Sequence, residues 1–375
     1  MKTLTYNLIL FLFLGISFDL AASDVGSKKE YTREVHETFD VSSNAKLGIQ
    51  NRYGNIKIST WDKSQIQIDV MIKVKASNAE KGQKFLNAIE IDFESSSSKV
   101  RAKTIYPNQE NNSSWWSSWF GNSKNLDFEV HYTVQAPEDI SSTLINKYGN
   151  ITQASIGGSC DVTNKYGDIF FENVGGNLSL NLGYGKASIG SVGDAEMEVK
   201  YSSIKLYGAR DMNISTKYSD LKIKSCNNIV AHTKYDDYSI ETVGTLKNNG
   251  KYDEFKIGSV DEFMIETKYT DVDISTLHHE GMFETKYGSV DINATGNNLK
   301  KIQIVSKYTG YGFNISGDFH LDFDGSRTDL HVSKPNEKYQ SERDGSDLSV
   351  KAYRGSKSSG AEILASMRYG SLKIR

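Results

Sequence analysis

Apolar and polar residues alternate along most of this chain with the period of a β-strand, in which neighbouring side chains point to opposite faces. Around residue 269, Phe263, Ile265, Thr267 and Tyr269 share one parity and Met264, Glu266 and Lys268 the other; after a two-residue corner Val272, Ile274 and Leu277 are apolar again. The unit recurs. Tyr148, Tyr166, Tyr184, Tyr201, Tyr218, Tyr235, Tyr252, Tyr269, Tyr287 and Tyr308 follow one another at gaps of 18, 18, 17, 17, 17, 17, 17, 18 and 21 residues. A fixed period just under twenty, without helical periodicity inside it, predicts a solenoid built of β-coils. Five residues past the tyrosines stand Phe171, Ile189, Leu206, Ile223, Ile240, Ile257, Ile274, Ile292 and Phe313. Three past them stand Ile151, Ile169, Ile204, Leu221, Phe255, Val272 and Val290. These offsets predict stacked apolar columns, and parity assigns the tyrosines to the same face as the core.

Coils pairing at about 4.8 Å would make ten of them a rod about 50 Å long. Each repeats its chain direction, so the sheets are expected to be parallel and the crossovers right-handed. The expected fold is an all-β, right-handed parallel β-helix of about ten coils of 17–18 residues.

Both ends carry the same register: Tyr53 has Leu47, Ile49, Ile56, Ile58 and Trp61 at matching offsets, and Tyr369 has Ile363, Ala365, Met367, Leu372 and Ile374. Between Tyr53 and Tyr148 the pattern departs. Alternation over Ile66 to Lys75, a short helix opened by the capping box Ser77-Asn78-Ala79-Glu80, and strands near Ile89–Phe93, Val100–Ile105 and Leu126–Val134 predict an antiparallel cap. Such a cap would cover core and sheet edge that a bare solenoid end exposes. The division expected is a signal peptide over 1–22, a first strand segment and coil over 23–61, the cap over 62–140, the repeats over 141–317, and an irregular segment with a last coil over 318–375.

The pieces Asn51-Arg52-Tyr53-Gly54-Asn55-Ile56, Asn146-Lys147-Tyr148-Gly149-Asn150-Ile151 and Asn164-Lys165-Tyr166-Gly167-Asp168-Ile169, with valine-glycine corners such as Val174-Gly175-Gly176, resemble a secreted bacterial family of candidate adhesins with a repetitive β-helix domain. The resemblance runs through nearly all of the mature chain, to Arg368-Tyr369-Gly370-Ser371-Leu372. It implies a β-solenoid and an adhesive role, and it names no catalytic residue. From Tyr201 onward the glycine after the tyrosine often gives way to Ser, Asp or Thr, a departure bearing on corner geometry.

Composition fits the repeat. Of 375 residues 31 are glycine, 21 tyrosine and only 3 proline. Pro107, Pro137 and Pro335 all lie outside 141–317, as continuous strand pairing requires. Lys2, the apolar run Leu8 to Phe18 and the small residues Ala21, Ala22 and Ser23 read as a secretory signal, the apolar run being about half of what a spanning helix needs. No cysteine stands at the cleavage region, which leaves a lipoprotein route unsupported, and no later segment is apolar enough to span a bilayer. The chain is therefore expected to be exported to periplasm, outer surface or medium. A net charge of −3 offers no basic footprint for nucleic acid. Cys160 and Cys226 lie six before one tyrosine and eight after another, three coils along, so they are expected to be buried free thiols.

Candidate chemistry is sparse. Lys147, Lys165, Lys200, Lys217, Lys234, Lys251, Lys268, Lys286 and Lys307 form an outward ladder broken at Gly183. Asp168, Asp220, Asp237, Glu254 and Asp271 stand across the corner and Glu198, Glu266 and Glu284 beside it, so a self-neutralised ladder is expected ahead of a polyanion-binding stripe. Carboxylates a coil or two apart meet glycosidase spacing trivially, and nothing separates their environments. His278-His279-Glu280 reads as a solvated corner, and no calcium, cofactor or phosphate motif is present. Outside the solenoid logic stand Trp115, Trp116, Trp119 and Phe120, either a hydrophobic lid on the first coil or a binding platform. The functional expectation is a non-catalytic structural or interaction protein, with surface glycans or envelope proteins as partner classes. Its rival is a carbohydrate-binding or polysaccharide-degrading β-helix.

Overall fold

The structure, a computed structural model, describes residues 28–107, 126–333, 336–355 and 360–375. The expected signal peptide and Trp115, Trp116, Trp119 and Phe120 lie outside the described residues.

Strand pairing carries the period read from the sequence into space. Cys160–Lys165 pairs in parallel with Ser141–Asn146 on one side and Leu178–Gly183 on the other, so that Val162 sits between Leu144 and Leu180. Past the corner, Ile151, Ile169, Ala187, Ile204, Leu221, Tyr238 and Phe255 are successive register partners and all are buried. A third column links Ile156 to Val174 and Val192, then Ala209, Cys226, Val243 and Val260. Each coil thus sends three apolar clusters inward. Stacking them coil on coil removes from water side chains worth about 1.5–3 kcal/mol each.

The tyrosines do not follow the expected parity. Tyr269 is 49% exposed although Phe263, Ile265 and Thr267 are buried. The cause is backbone: from Tyr166 to Tyr308, and again at Tyr369, every ladder tyrosine has φ between 52° and 62°. A left-handed residue breaks the two-residue alternation, turning the chain into the next strand and the ring outward.

The amino-terminal end follows its expected strands with two changes. Gln65–Ala76 pairs antiparallel with Leu126–Pro137, and Glu90–Ser96 with Lys99–Ile105. Lys29–Asp40, within the first strand segment and coil expected over 23–61, pairs antiparallel with Gln65–Ala76. The helix Ala79–Ala88 is capped by Asn78, whose side chain accepts from Lys81 N at 2.9 Å, one residue later than the box implies. Lys99–Ile105 and Leu126–Pro137 also stack in parallel on Lys46–Gln50 and Ile56–Trp61, so the cap is partly coil itself.

The carboxyl-terminal end differs most. Residues 318–360, expected as loops between imperfect coils, hold the strands Phe319–Ser326 and Asp329–Val332 and the antiparallel pair Asn336–Asp344 and Asp347–Arg354. The final strands Ala361–Arg368 and Ser371–Ile374 do not end the stack. They lie between Lys301–Phe313 on one side and Phe319–Ser326 with Asp329–Val332 on the other.

Candidate functional site

Twelve tyrosine rings form one unbroken stack, from Tyr53 and Tyr148 through the repeats to Tyr308 and Tyr369. Centroids are 4.7–5.2 Å apart and planes within 17° of parallel. That spacing is the strand spacing, so pairing of the backbone sets the stack. Both ends are closed. Tyr106 and Phe128 meet Tyr53 edge-on at 5.6 and 4.8 Å, and the Arg327 guanidinium lies 5.4 Å from the Tyr369 centroid, with Nη1 donating to its hydroxyl at 3.1 Å. Arg327 holds the tyrosine position of the outermost coil, with φ 52°.

The ladder lysines flank this stack but are not neutralised as expected. Lys200 pairs with Glu198 at 2.5 Å and is the ladder lysine with an ion pair among the described residues. Glu254 pairs instead with Lys256 at 2.5 Å. Lys147, Lys165, Lys217, Lys234, Lys286 and Lys307 place Nζ 5.0–5.5 Å from the centroid of the tyrosine that follows each. A ring quadrupole attracts the ammonium without discharging it. On the side of the sheet preceding the corner, a groove of about 790 Å³ runs from Ser215 to Arg368, lined by Lys234, Lys251, Lys268, Lys286, Lys307 and Arg368. A second concavity, about 890 Å³, opens over the amino-terminal coils and carries Asp161, Asp194, Glu196 and Asp211; Asp194 is bound by Arg210 through two nitrogens.

Behind the rings lies a feature the sequence showed only as the change from Gly to Ser, Asp or Thr. These side chains turn inward, each taking a backbone donor from the coil before. Gly185 N donates to Ser202 Oγ, Ser202 N to Ser219 Oγ, Ser219 N to Asp236 Oδ1, Asp236 N to Asp253 Oδ1 and Asp253 N to Thr270 Oγ1, at 2.8–3.4 Å. Thr216 and Thr233 donate to the second oxygens of Asp236 and Asp253 at 2.6 and 2.7 Å. Burial pushes the Asp253 carboxyl up to about 6 and raises Asp236 above the usual carboxylate range, against the donors that favour the charged form. Tyr238, a core tyrosine between Leu221 and Phe255 in its column, stacks on Phe255 at 5.0 Å and shares the Thr216 hydroxyl at 2.8 Å, and burial holds its phenol well above its ordinary value.

Cys160 and Cys226 are buried and unpaired, on different columns, and burial raises their thiols to about 11 and about 12. His278 Nε2 meets Ser259 Oγ at 2.9 Å. Among the described residues no group of His, Cys, Asp and Glu could hold a metal ion, and no helix is long and apolar enough to cross a membrane.

No family model matches the chain, and no curated protein matches it. It is similar to a set of solved structures, among them the three that follow. One is a candidate cell-adhesion protein from Clostridium sporogenes, at 11% identity over 92% of this chain and 99% of that one, with a TM-score of 0.18. The second is a candidate adhesin from Bacteroides fragilis, at 10% over 76% and 97%, TM-score 0.27. The third is a candidate lipid-binding protein from Parabacteroides distasonis, at 10% over 77% and 98%, TM-score 0.30. Likenesses that loose carry no argument about what this chain does.

Proposed function

We propose that the protein is an exported, non-catalytic interaction scaffold at the cell envelope or cell surface. In this reading a right-handed solenoid of about ten coils presents a rigid side to surface glycans or envelope proteins. One observation carries the reading: the exposed chemistry is the same in coil after coil, a phenol stack with lysines beside it. Catalysis needs unlike groups converging on one reacting centre, whereas repeated like groups suit an extended contact. The displaced carboxyls, Asp236 and Asp253, face backbone and hydroxyl donors inside the corner, away from any substrate path. Trp115, Trp116 and Trp119 are proposed as a second contact, following Tyr106 in the chain; replacing all three with Ser should weaken attachment to glycan surfaces without lowering the melting temperature.

The deciding experiment is cell fractionation combined with protease treatment of whole cells. Cleavage by external protease, together with loss of cell attachment on gene deletion, is the expected result. A protease-protected protein confined to the periplasm would remove the adhesive version and leave an envelope scaffold.

A further inference from the structure

We propose that the lysine groove seats a linear acidic polysaccharide with one carboxylate per sugar, its chain running along the stack. This rests on the interaction role above and names its ligand class. The groove brings together Lys234, Lys251, Lys268, Lys286, Lys307 and Arg368 against the carboxylates Glu266 and Glu284. Glu266 accepts from Asn249 Nδ2 at 3.0 Å, and none of the six cations has an ion-pair partner among the described residues.

The spacing of these charges is set by the backbone. Lys234, Lys251 and Lys268 are direct register partners, as are Lys286, Lys307 and Arg368. Like charges at about 4.8 Å repel by on the order of 1 kcal/mol in water before screening, and each inner lysine has two such neighbours. An anionic polymer with charges at a similar interval relieves every one of these repulsions at once. The cost of ordering the lysines is already reduced, because Lys234, Lys286 and Lys307 rest 5.2–5.5 Å from tyrosine centroids.

The choice of polysaccharide over nucleic acid follows from the rings. Single-stranded nucleic acid binding relies on aromatic faces for base stacking. Here the faces cover one another, and the two ends are closed by Tyr106, Phe128 and Arg327. What the rings offer solvent is edges and hydroxyls, and together with ammonium groups these favour a chain rich in anionic acceptors. The second cluster, Lys205, Lys222, Lys224 and Lys256, sets fewer cations against two carboxylates, Glu241 and Asp273, in a concavity of about 670 Å³, and Lys256 is already paired with Glu254 at 2.5 Å.

The test is titration of the full chain with oligogalacturonides of increasing length, with neutral dextran, with oligo-dT and with vesicles containing phosphatidylglycerol. Affinity for galacturonides should rise with length, fall steeply with added salt, and drop at least tenfold in Lys251→Gln/Lys268→Gln/Lys286→Gln, while Lys205→Gln/Lys222→Gln/Lys224→Gln binds as the parent does. All these lysines point to solvent, and unchanged melting of each variant verifies that folding is intact. Absence of galacturonide binding at low salt, equal loss in both triple variants, or tighter binding of oligo-dT or vesicles would overturn the assignment. Failure of binding in a protein that still anchors at the surface rejects the groove alone, whereas release of shortened galacturonides rejects the non-catalytic role.

Discussion

The corner tyrosine joins two opposed energies. A left-handed conformation costs an L-residue roughly 1–2 kcal/mol, while each aromatic contact adds about 0.5–1.5 kcal/mol. Tyr252 stacks on Tyr235 and Tyr269 at 4.7 and 5.0 Å, so the two contacts offset its strain. Tyr252→Ala keeps the strained φ and loses both contacts, and urea unfolding should show about 1–3 kcal/mol of destabilisation. Tyr252→Gly should be the milder change, because glycine adopts this φ freely. Equal losses in the two variants would show that the corner strain is negligible. Asp253 supplies a second residue-scale test. Its folded pKa, about 6, lies above the ordinary value, so between those two pH values the folded protein binds more protons than the unfolded chain. Its stabilising contribution is therefore complete below the ordinary value and is lost as pH rises through about 6. Melting temperature should climb as pH falls from 7.5 to 5, and Asp253→Asn should flatten that climb. Asp194, whose carboxyl Arg210 holds low, acts in the opposite sense only at more acid pH.

Among elements, the last coil is the keystone of its end. Ala361–Arg368 and Ser371–Ile374 are paired on both edges, burying Ala361, Ile363, Met367, Leu372 and Ile374. Ending the chain after residue 360 would open the edge of Lys301–Phe313 and leave Phe319–Ser326 without its parallel partner. Hydrogen exchange should then show protection lost over 319–332 and reduced over 301–313, with the central coils unchanged. Retained protection over 319–332 would mean that those strands dock on Lys301–Phe313 directly. The order of the coils, and the parity of the tyrosines, could not be read from the chain. Strands such as Phe319–Ser326 and Ala361–Arg368 have the same alternation, and nothing local states which one reaches the open edge first.

For the whole molecule, each coil touches chiefly its neighbours, so stability is close to a sum of coil and interface terms. Ile257 is 2% exposed and lies in a column with Ile240. Ile257→Asp would place an unpaired charge there, at a cost of several kcal/mol. Hydrogen exchange should reveal opening centred on residues 237–275 while the cap around Ile68 and Val70 keeps its protection. Uniform loss across the chain would instead mark the array as one cooperative unit. In the proposed role, ligand groups seated on successive coils would be held at the strand spacing and would act together.

Spacing and alternation along the chain already specify the period, the apolar columns, most strands of the cap, the separation of the two cysteines and the presence of a lysine ladder. Those properties are local, because alternate side chains in a strand point apart whatever surrounds them. Tertiary structure alone decided the outward turn of the tyrosines, the inward ladder of Ser202, Ser219, Asp236, Asp253 and Thr270, the insertion of the last coil, and the placing of Lys234 to Arg368 in one groove. Each of these depends on a partner about seventeen residues or more away. A left-handed φ at Tyr235 persists because Tyr218 and Tyr252 hold its ring, and a carboxyl at Asp253 stays buried because Thr233 and the Asp236 amide supply its donors.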